Sequence, residues 1–138
     1  MTSAFFSVAF IFSILLAQPV SGAKKEKPLD REFEIKVGET ISIRNEGLKI
    51  TFTNVAEDSR CPQGVTCIWA GNGKVVLKLG KARRRSNTIS LNTTLDPKHD
   101  VYQGYEVKLV SLAPYPKKDV AIKKKEYVAT LVVSRKQG

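Results

Sequence analysis

Apolar and polar residues alternate along most of the chain. Phe33, Ile35 and Val37 are interleaved with Glu34 and Lys36, and the same step recurs at Ile41 and Ile43 and at Leu48, Ile50 and Phe52. It returns at Val75, Leu77 and Leu79, at Ile89 and Leu91, at Tyr105, Val107 and Leu109, and at Tyr127, Ala129, Leu131 and Val133. A period of two places alternate side chains on one face of a half-buried strand. β-branched and aromatic types dominate these runs, as a pleated surface favours. No window carries a persuasive helical stripe of apolar residues. Turn chemistry separates the runs: Gly38 with Glu39, Asn45 to Gly47, Gly71 to Gly73, Gly80, and Asp96 with Pro97. The pattern predicts an all-β fold, an antiparallel β-sandwich or small barrel of about seven short strands. The segment from Ala113 to Lys125 contains Pro114, Pro116 and five lysines, and reads as an exposed connection between the last two strands.

The first 23 residues carry no charged side chain. Ala4 to Ala17 is an apolar run broken only by Ser7 and Ser13, and Ser21, Gly22 and Ala23 supply small residues after it. The run is shorter than the roughly 20 residues that span a bilayer. Residues 1–23 therefore read as a cleaved signal peptide, with an uncleaved anchor as the rival. Residues 24–32 read as a flexible, solvated leader, and 33–138 as a single β-domain. A secreted or periplasmic location follows.

Only two cysteines are present, Cys61 and Cys67. After a signal peptide, such a pair is expected to form a disulfide. Pro62 and Gly64 suit a small closed ring. A redox-active pair is the sharper alternative, but catalytic dithiols usually sit as C-x-x-C at a helix N-terminus, and neither feature is visible.

The stretch from Asp58, Ser59, Arg60, Cys61 and Pro62 through Val65, Cys67, Trp69, Ala70 and Gly71 is the most specific in the chain. It resembles a family of small secreted bacterial proteins with the pattern D-S-R-C-P-x-x-V-x-C-x-W-A-G. The likeness extends from about Val37 to Val133 and takes in Gly104, Tyr105, Leu112, Pro114, Glu126 and Tyr127. The resemblance implies a compact exported β-domain with no established activity. It also makes the N-x-T sequon at Asn92 incidental. From the residues alone, an indole at Trp69 could pack over the disulfide, and Asp58 and Arg60 are close enough to pair. Two readings of the motif stand: a staple for one loop, or a recognition loop that presents Arg60 and Trp69, types enriched in binding hot spots.

Composition narrows the chemistry. One His and two Cys cannot build a metal site that needs several of either. His99, with Asp96, Asp100 and Tyr102 nearby, could form a polar cluster, and calcium on Asp96 and Asp100 is a weak alternative, since D-x-x-x-D has no further acids beside it. No G-x-S-x-G elbow and no glycine-rich phosphate loop is present. A non-enzyme with no cofactor is expected. The formal charge is +10, from 23 Lys and Arg against 13 Asp and Glu. Arg83, Arg84 and Arg85 follow Gly80 in a turn, while Lys117, Lys118, Lys123, Lys124 and Lys125 lie in the late connection. Clustered base attracts polyanions through counterion release. The bland alternative is a solvated surface that protects strand edges. No aromatic is interleaved with the arginines, so specific nucleic-acid recognition is not expected.

The sequence thus points to an exported binding or structural β-domain at the cell envelope. Its partner would be an anionic envelope component or an extracellular protein, and both basic runs are expected on one side of the sandwich. The alternative is an inhibitor or accessory module that contacts an extracellular enzyme through the Cys61–Cys67 loop.

Overall fold

The computed structural model describes residues 25–138. The apolar leader at 1–23 lies outside the described residues. Nine strands run in chain order: β1 (Glu26–Lys27), β2 (Phe33–Lys36), β3 (Thr40–Ile43), β4 (Leu48–Asp58), β5 (Gly73–Lys81), β6 (Asn87–Asn92), β7 (His99–Tyr102), β8 (Tyr105–Ala113) and β9 (Val128–Arg135). A single 3-10 turn, Lys124–Glu126, is the one helical segment among the described residues.

The strands form two sheets, β1-β3-β4-β5-β6 and β2-β9-β8-β7. The fold is therefore a sandwich rather than a closed barrel. Every pairing is antiparallel except that of β1 with β3. Register explains how the period-two pattern becomes a core. Phe52 lies opposite Leu77, which lies opposite Ile89; in the other sheet Phe33 and Leu109 both flank Leu131. These rows face one another across the interior, and Phe52, Leu77 and Leu131 are fully buried. Burial of a side chain of this class contributes about 1.5–3 kcal/mol. A one-residue slip of any strand would turn its apolar set to solvent, so the alternation specifies register as well as fold.

Two departures from the expected pattern concern the strand count and the leader. β1 and β7 join the seven expected strands. Residues 24–32 were expected as free leader, yet from Glu26 onward the segment is tied down. β1 pairs with β3, Leu29 packs on the core, and the Asp30 amide donates to the Val133 carbonyl at 2.9 Å.

Register also sorts the connections to two opposite ends. Leu48 pairs with Lys81, which sets the β3–β4 turn beside the β5–β6 turn. Tyr105 pairs with Arg135, and its hydroxyl donates to Glu46 at 2.7 Å, which brings the β7–β8 turn and the end of β9 to the same place. At the far end of β4, Asp58 pairs with Gly73 and opens the long β4–β5 loop. Ala113 pairs with Val128 there, so the β8–β9 connection shares that end. The Thr93 amide donates to the Gly73 carbonyl at 2.9 Å and adds the β6–β7 connection. These are the turn end and the loop end below.

Candidate functional site at the loop end

The β4–β5 loop leaves the sheet at Ser59 and re-enters at Asn72. So long a connection needs partners for its backbone groups. Its two limbs supply them to each other: the Ser59 amide donates to Asn72 O at 2.8 Å, and the Cys61 amide donates to Ala70 O at 3.0 Å. The limbs approach so closely at Gly71 that a Cβ there would lie 1.7 Å from Ser59 O, and its φ of +70° is also one that glycine favours. Asn72 is buried between two glycines. Its Nδ2 donates to Asn92 Oδ1 at 2.8 Å, while its Oδ1 accepts the amides of Thr94 and Leu95. Asn92 is thereby buried as well, which keeps the sequon asparagine inside the fold.

The tip is closed by the Cys61–Cys67 disulfide. It is also stitched to the β8–β9 connection: the Gln63 amide donates to Pro116 O at 2.9 Å, and the Lys118 amide donates to Gln63 O at 3.0 Å.

Beneath the ring lies a charged anchor. Asp58 accepts from Arg60 Nε and Nη2, both at 2.8 Å. Arg60 Nη1 donates to Leu112 O at 2.5 Å, and Nη2 donates also to Pro114 O at 2.9 Å. Its guanidinium lies 5.4 Å from the centre of the Tyr115 ring. A planar guanidinium can hold a carboxylate with two bonds and reach two carbonyls as well; a lysine ammonium, with three donors on one nitrogen, cannot make all four bonds. The Tyr127 hydroxyl donates to Asp58 Oδ2 at 2.8 Å. Burial acts to raise the Asp58 carboxyl, but the hydrogen bonds from Arg60 and Tyr127 and the Arg60 charge outweigh it and hold the group below its ordinary value. Burial, then the bond to Asp58 and its charge, pushes the Tyr127 hydroxyl up to about 12.

The expectation of a loop that displays Arg60 with Trp69 is thus half corrected. Asp58 and Arg60 do pair, but Arg60 is only 6% exposed and faces inward, because its donors are drawn to carbonyls of the opposite sheet. Trp69 departs from expectation in the other direction. It does not shield the disulfide: it is 82% exposed, and its neighbour Ile68 is 93% exposed. Scans against family models and searches of curated proteins and solved structures found no match. What the loop does must be argued from its own surface.

That surface is apolar at its centre. Val65, Ile68, Trp69, Leu95, Tyr115 and Val120 are all exposed, and all belong to the three connections that meet at this end. A recess of about 340 Å³ lies between Trp69, Ala70 and Gly71 on one side and Thr94 and Leu95 on the other, with Glu57 at its margin. A second, of about 280 Å³, continues past Ala70 and Thr94 to Val110 and Tyr115.

The basic residues do not share one side, as expected from sequence. Lys117, Lys118, Lys123, Lys124 and Lys125 lie in the β8–β9 connection, beside the cysteine ring. Arg83, Arg84 and Arg85 lie in the β5–β6 turn, at the opposite end. The reason is register: the two connections leave opposite ends of their strands. His99 sits apart from both runs, with its Nδ1 3.9 Å from Glu106. Among the described residues no three His, Cys, Asp or Glu side chains gather as a metal-ligand set.

Sequence reasoning missed Asn72 and the hydroxyl of Tyr127 as parts of this site, while Ser59 stood within the singled-out motif. Asn72 had a signal, since a lone Asn between two glycines needs a reason beyond turn formation. Tyr127 had none, because its apolar ring fits the period-two pattern whether or not its hydroxyl has a task.

Proposed function

We propose that the chain is an exported, non-enzymatic binding domain that engages an extracellular protein through the loop end. The observation that carries this reading is Trp69, 82% exposed on a loop whose backbone is fixed from both sides. Asp58, Ser59, Arg60, Cys61, Cys67, Gly71 and Asn72 all have structural tasks within the described fold; the Trp69 indole has none there. A fixed loop loses little freedom on binding, and an aromatic anchor gains most from entering a pocket. The disulfide, and the absence among the described residues of a helix long and apolar enough to cross a membrane, are compatible with a secreted or periplasmic protein. The signal peptide at 1–23 and a station at the cell envelope belong to the same proposal.

Charge complementarity describes the partner. Five lysines lie in the β8–β9 connection at this end, against Asp119 and Glu126 in the same connection and Glu57 at the recess. A fitting protein offers an apolar recess ringed by carboxylates. The domain then acts as an accessory module or inhibitor of that protein, with its affinity lodged in the apolar centre.

The test begins with capture from envelope extract, after which the purified partner is titrated by calorimetry. Trp69→Ala is expected to weaken binding about 30-fold or more, as loss of a hot-spot anchor does. The variant in which Lys123, Lys124 and Lys125 are serine should slow association and reduce its salt dependence. Equal affinity of wild type and Trp69→Ala overturns the reading. So does sedimentation showing that Trp69 instead joins two copies of this chain.

A further inference from the structure

A separate site lies at the turn end, where backbone geometry and charge coincide. Among the described residues, five other than glycine have positive φ: Asp30, Asn45, Arg83, Gln103 and Asp119. Three of them are Asp or Asn, the types that tolerate this region. Arg83, at φ +63°, and Gln103, at φ +48°, are not. The left-handed region crowds the Cβ of such residues against the following carbonyl, so holding them there is unfavourable. Both sit at turns where Asn or Gly would relieve that cost. Gln103 with Gly104 makes a two-residue hairpin between paired Tyr102 and Tyr105, a place that ordinarily favours Asn-Gly.

These two strained residues belong to different sheets, yet they line the same cavity. It measures about 560 Å³ and is bounded by Lys81, Ala82, Arg83, Arg84 and Gln103. The Tyr102 hydroxyl donates to Arg85 O at 2.9 Å and locks the two turns together. On the other side of Arg84 a second hollow, of about 500 Å³, adds Gly47, Lys49 and Ser86. No carboxylate and no aromatic ring lines either one. Among the described residues Arg83, Arg84 and Arg85 make no ion pair, whereas Glu46, an acid of this end, is taken by Arg135 and Tyr105. Lys81 lies over the Tyr105 ring at 4.8 Å and donates to its hydroxyl, which fixes its stem, and its charge acts on Glu46 without forming an ion pair with it.

We propose that this groove binds the oxyanion groups of an acidic polysaccharide, independently of the protein contact at the loop end. Paired hollows on the two sides of Arg84 suit successive anionic groups on one polymer. Guanidinium forks match sulfate and phosphate esters bidentately, and the Gln103 amide offers both a donor and an acceptor to a sugar hydroxyl. The linings oppose two other polyanions. A stacked nucleic acid needs exposed aromatic rings, and a membrane surface is better held where apolar side chains can enter it; the linings supply neither.

The test removes equal charge from each end. In one variant Arg83→Asn, Arg84→Ser and Arg85→Ser are combined, with Asn chosen because it keeps the left-handed turn. In the other, Lys123, Lys124 and Lys125 become serine. Binding to heparin is measured at two salt concentrations, after thermal melts show both variants folded. The arginine variant is expected to bind about tenfold more weakly than wild type, with a shallower salt dependence, while the lysine variant keeps most of its affinity. Equal losses in the two variants would reduce the effect to net charge and overturn the proposal. It is equally overturned if phosphatidylglycerol vesicles or single-stranded DNA bind as tightly as heparin and lose as much in the arginine variant. Failure here leaves the Trp69 test untouched, since the two use different ends.

Discussion

Asp58 holds the guanidinium of Arg60 through two 2.8 Å hydrogen bonds, and the same guanidinium reaches across to Leu112 O in the opposite sheet and to Pro114 O just beyond it. The pair therefore joins both layers of the sandwich directly below the disulfide ring. It anchors the tip chemically where the core can no longer do so by packing.

Arg60→Ala is expected to cost about 3–5 kcal/mol, because it strands a shielded carboxylate and two carbonyls. Arg60→Lys should restore only part of that, since an ammonium has three donors on one nitrogen and cannot reproduce the four bonds the guanidinium fork makes here. Urea unfolding of the two variants checks the order. A lysine variant as stable as wild type would show that charge alone suffices.

The pH dependence should have two limbs at this site. The Asp58 carboxyl is held below its ordinary value of 3.8, so its contribution is complete above that value and is lost as pH falls through the folded pKa. Glu46, lowered by its bonds from Tyr105 and Arg135, acts in the same direction at the other end. The Tyr127 hydroxyl is raised from 10.0 to about 12, so its contribution is complete below 10 and is lost as pH rises through about 12. Tyr127→Phe should cost about 1–2 kcal/mol at neutral pH, flatten the alkaline limb and shrink the acid limb, since the Tyr127 bond is one of those that hold the Asp58 carboxyl down. Thermal melts between pH 3 and about pH 12 read both limbs. An unchanged alkaline limb in the variant would assign that limb to other groups.

Cys67→Ala should lower stability by about 2 kcal/mol, the loop-closure contribution of a small ring. Because the Cys61–Ala70 and Ser59–Asn72 bonds lie outside the ring, the damage should stay local. Hydrogen exchange should rise first at the Val65 amide, which donates to Pro62 O within the ring, and only later in β4 and β5.

Two glycines with similar backbone should respond differently to alanine. Gly47 has φ +66° with open space around its missing Cβ, so Gly47→Ala should cost about 1 kcal/mol. Gly71 has φ +70° with Ser59 O in the way, so Gly71→Ala should cost about 3 kcal/mol or more. Equal midpoints in denaturant would mean that the two limbs of the loop can separate freely.

Much of the sandwich was legible because its strands bury one face each, and a period of two records that directly. β1 and β7 escaped for the same reason. Glu26 and Lys27 add a parallel partner to β3 without burying an apolar face, and in β7 only Tyr102 turns inward. The disulfide was legible from the cysteine count together with the expectation of a signal peptide. The direction of Arg60 was not, because it is set by carbonyls 52 and 54 residues away. Nor was the separation of the basic runs. Two turns look alike in sequence, and only the pairing of Leu48 with Lys81 and of Ala113 with Val128 sends them to opposite ends.

That separation has an electrical meaning. The nine residues of β5 extend over about 30 Å, several times the screening distance of roughly 8 Å in physiological salt. Exposed charges at one end are thus nearly invisible to a ligand at the other. The domain is two insulated terminals on one rigid rod, and substitutions made at both should add without coupling.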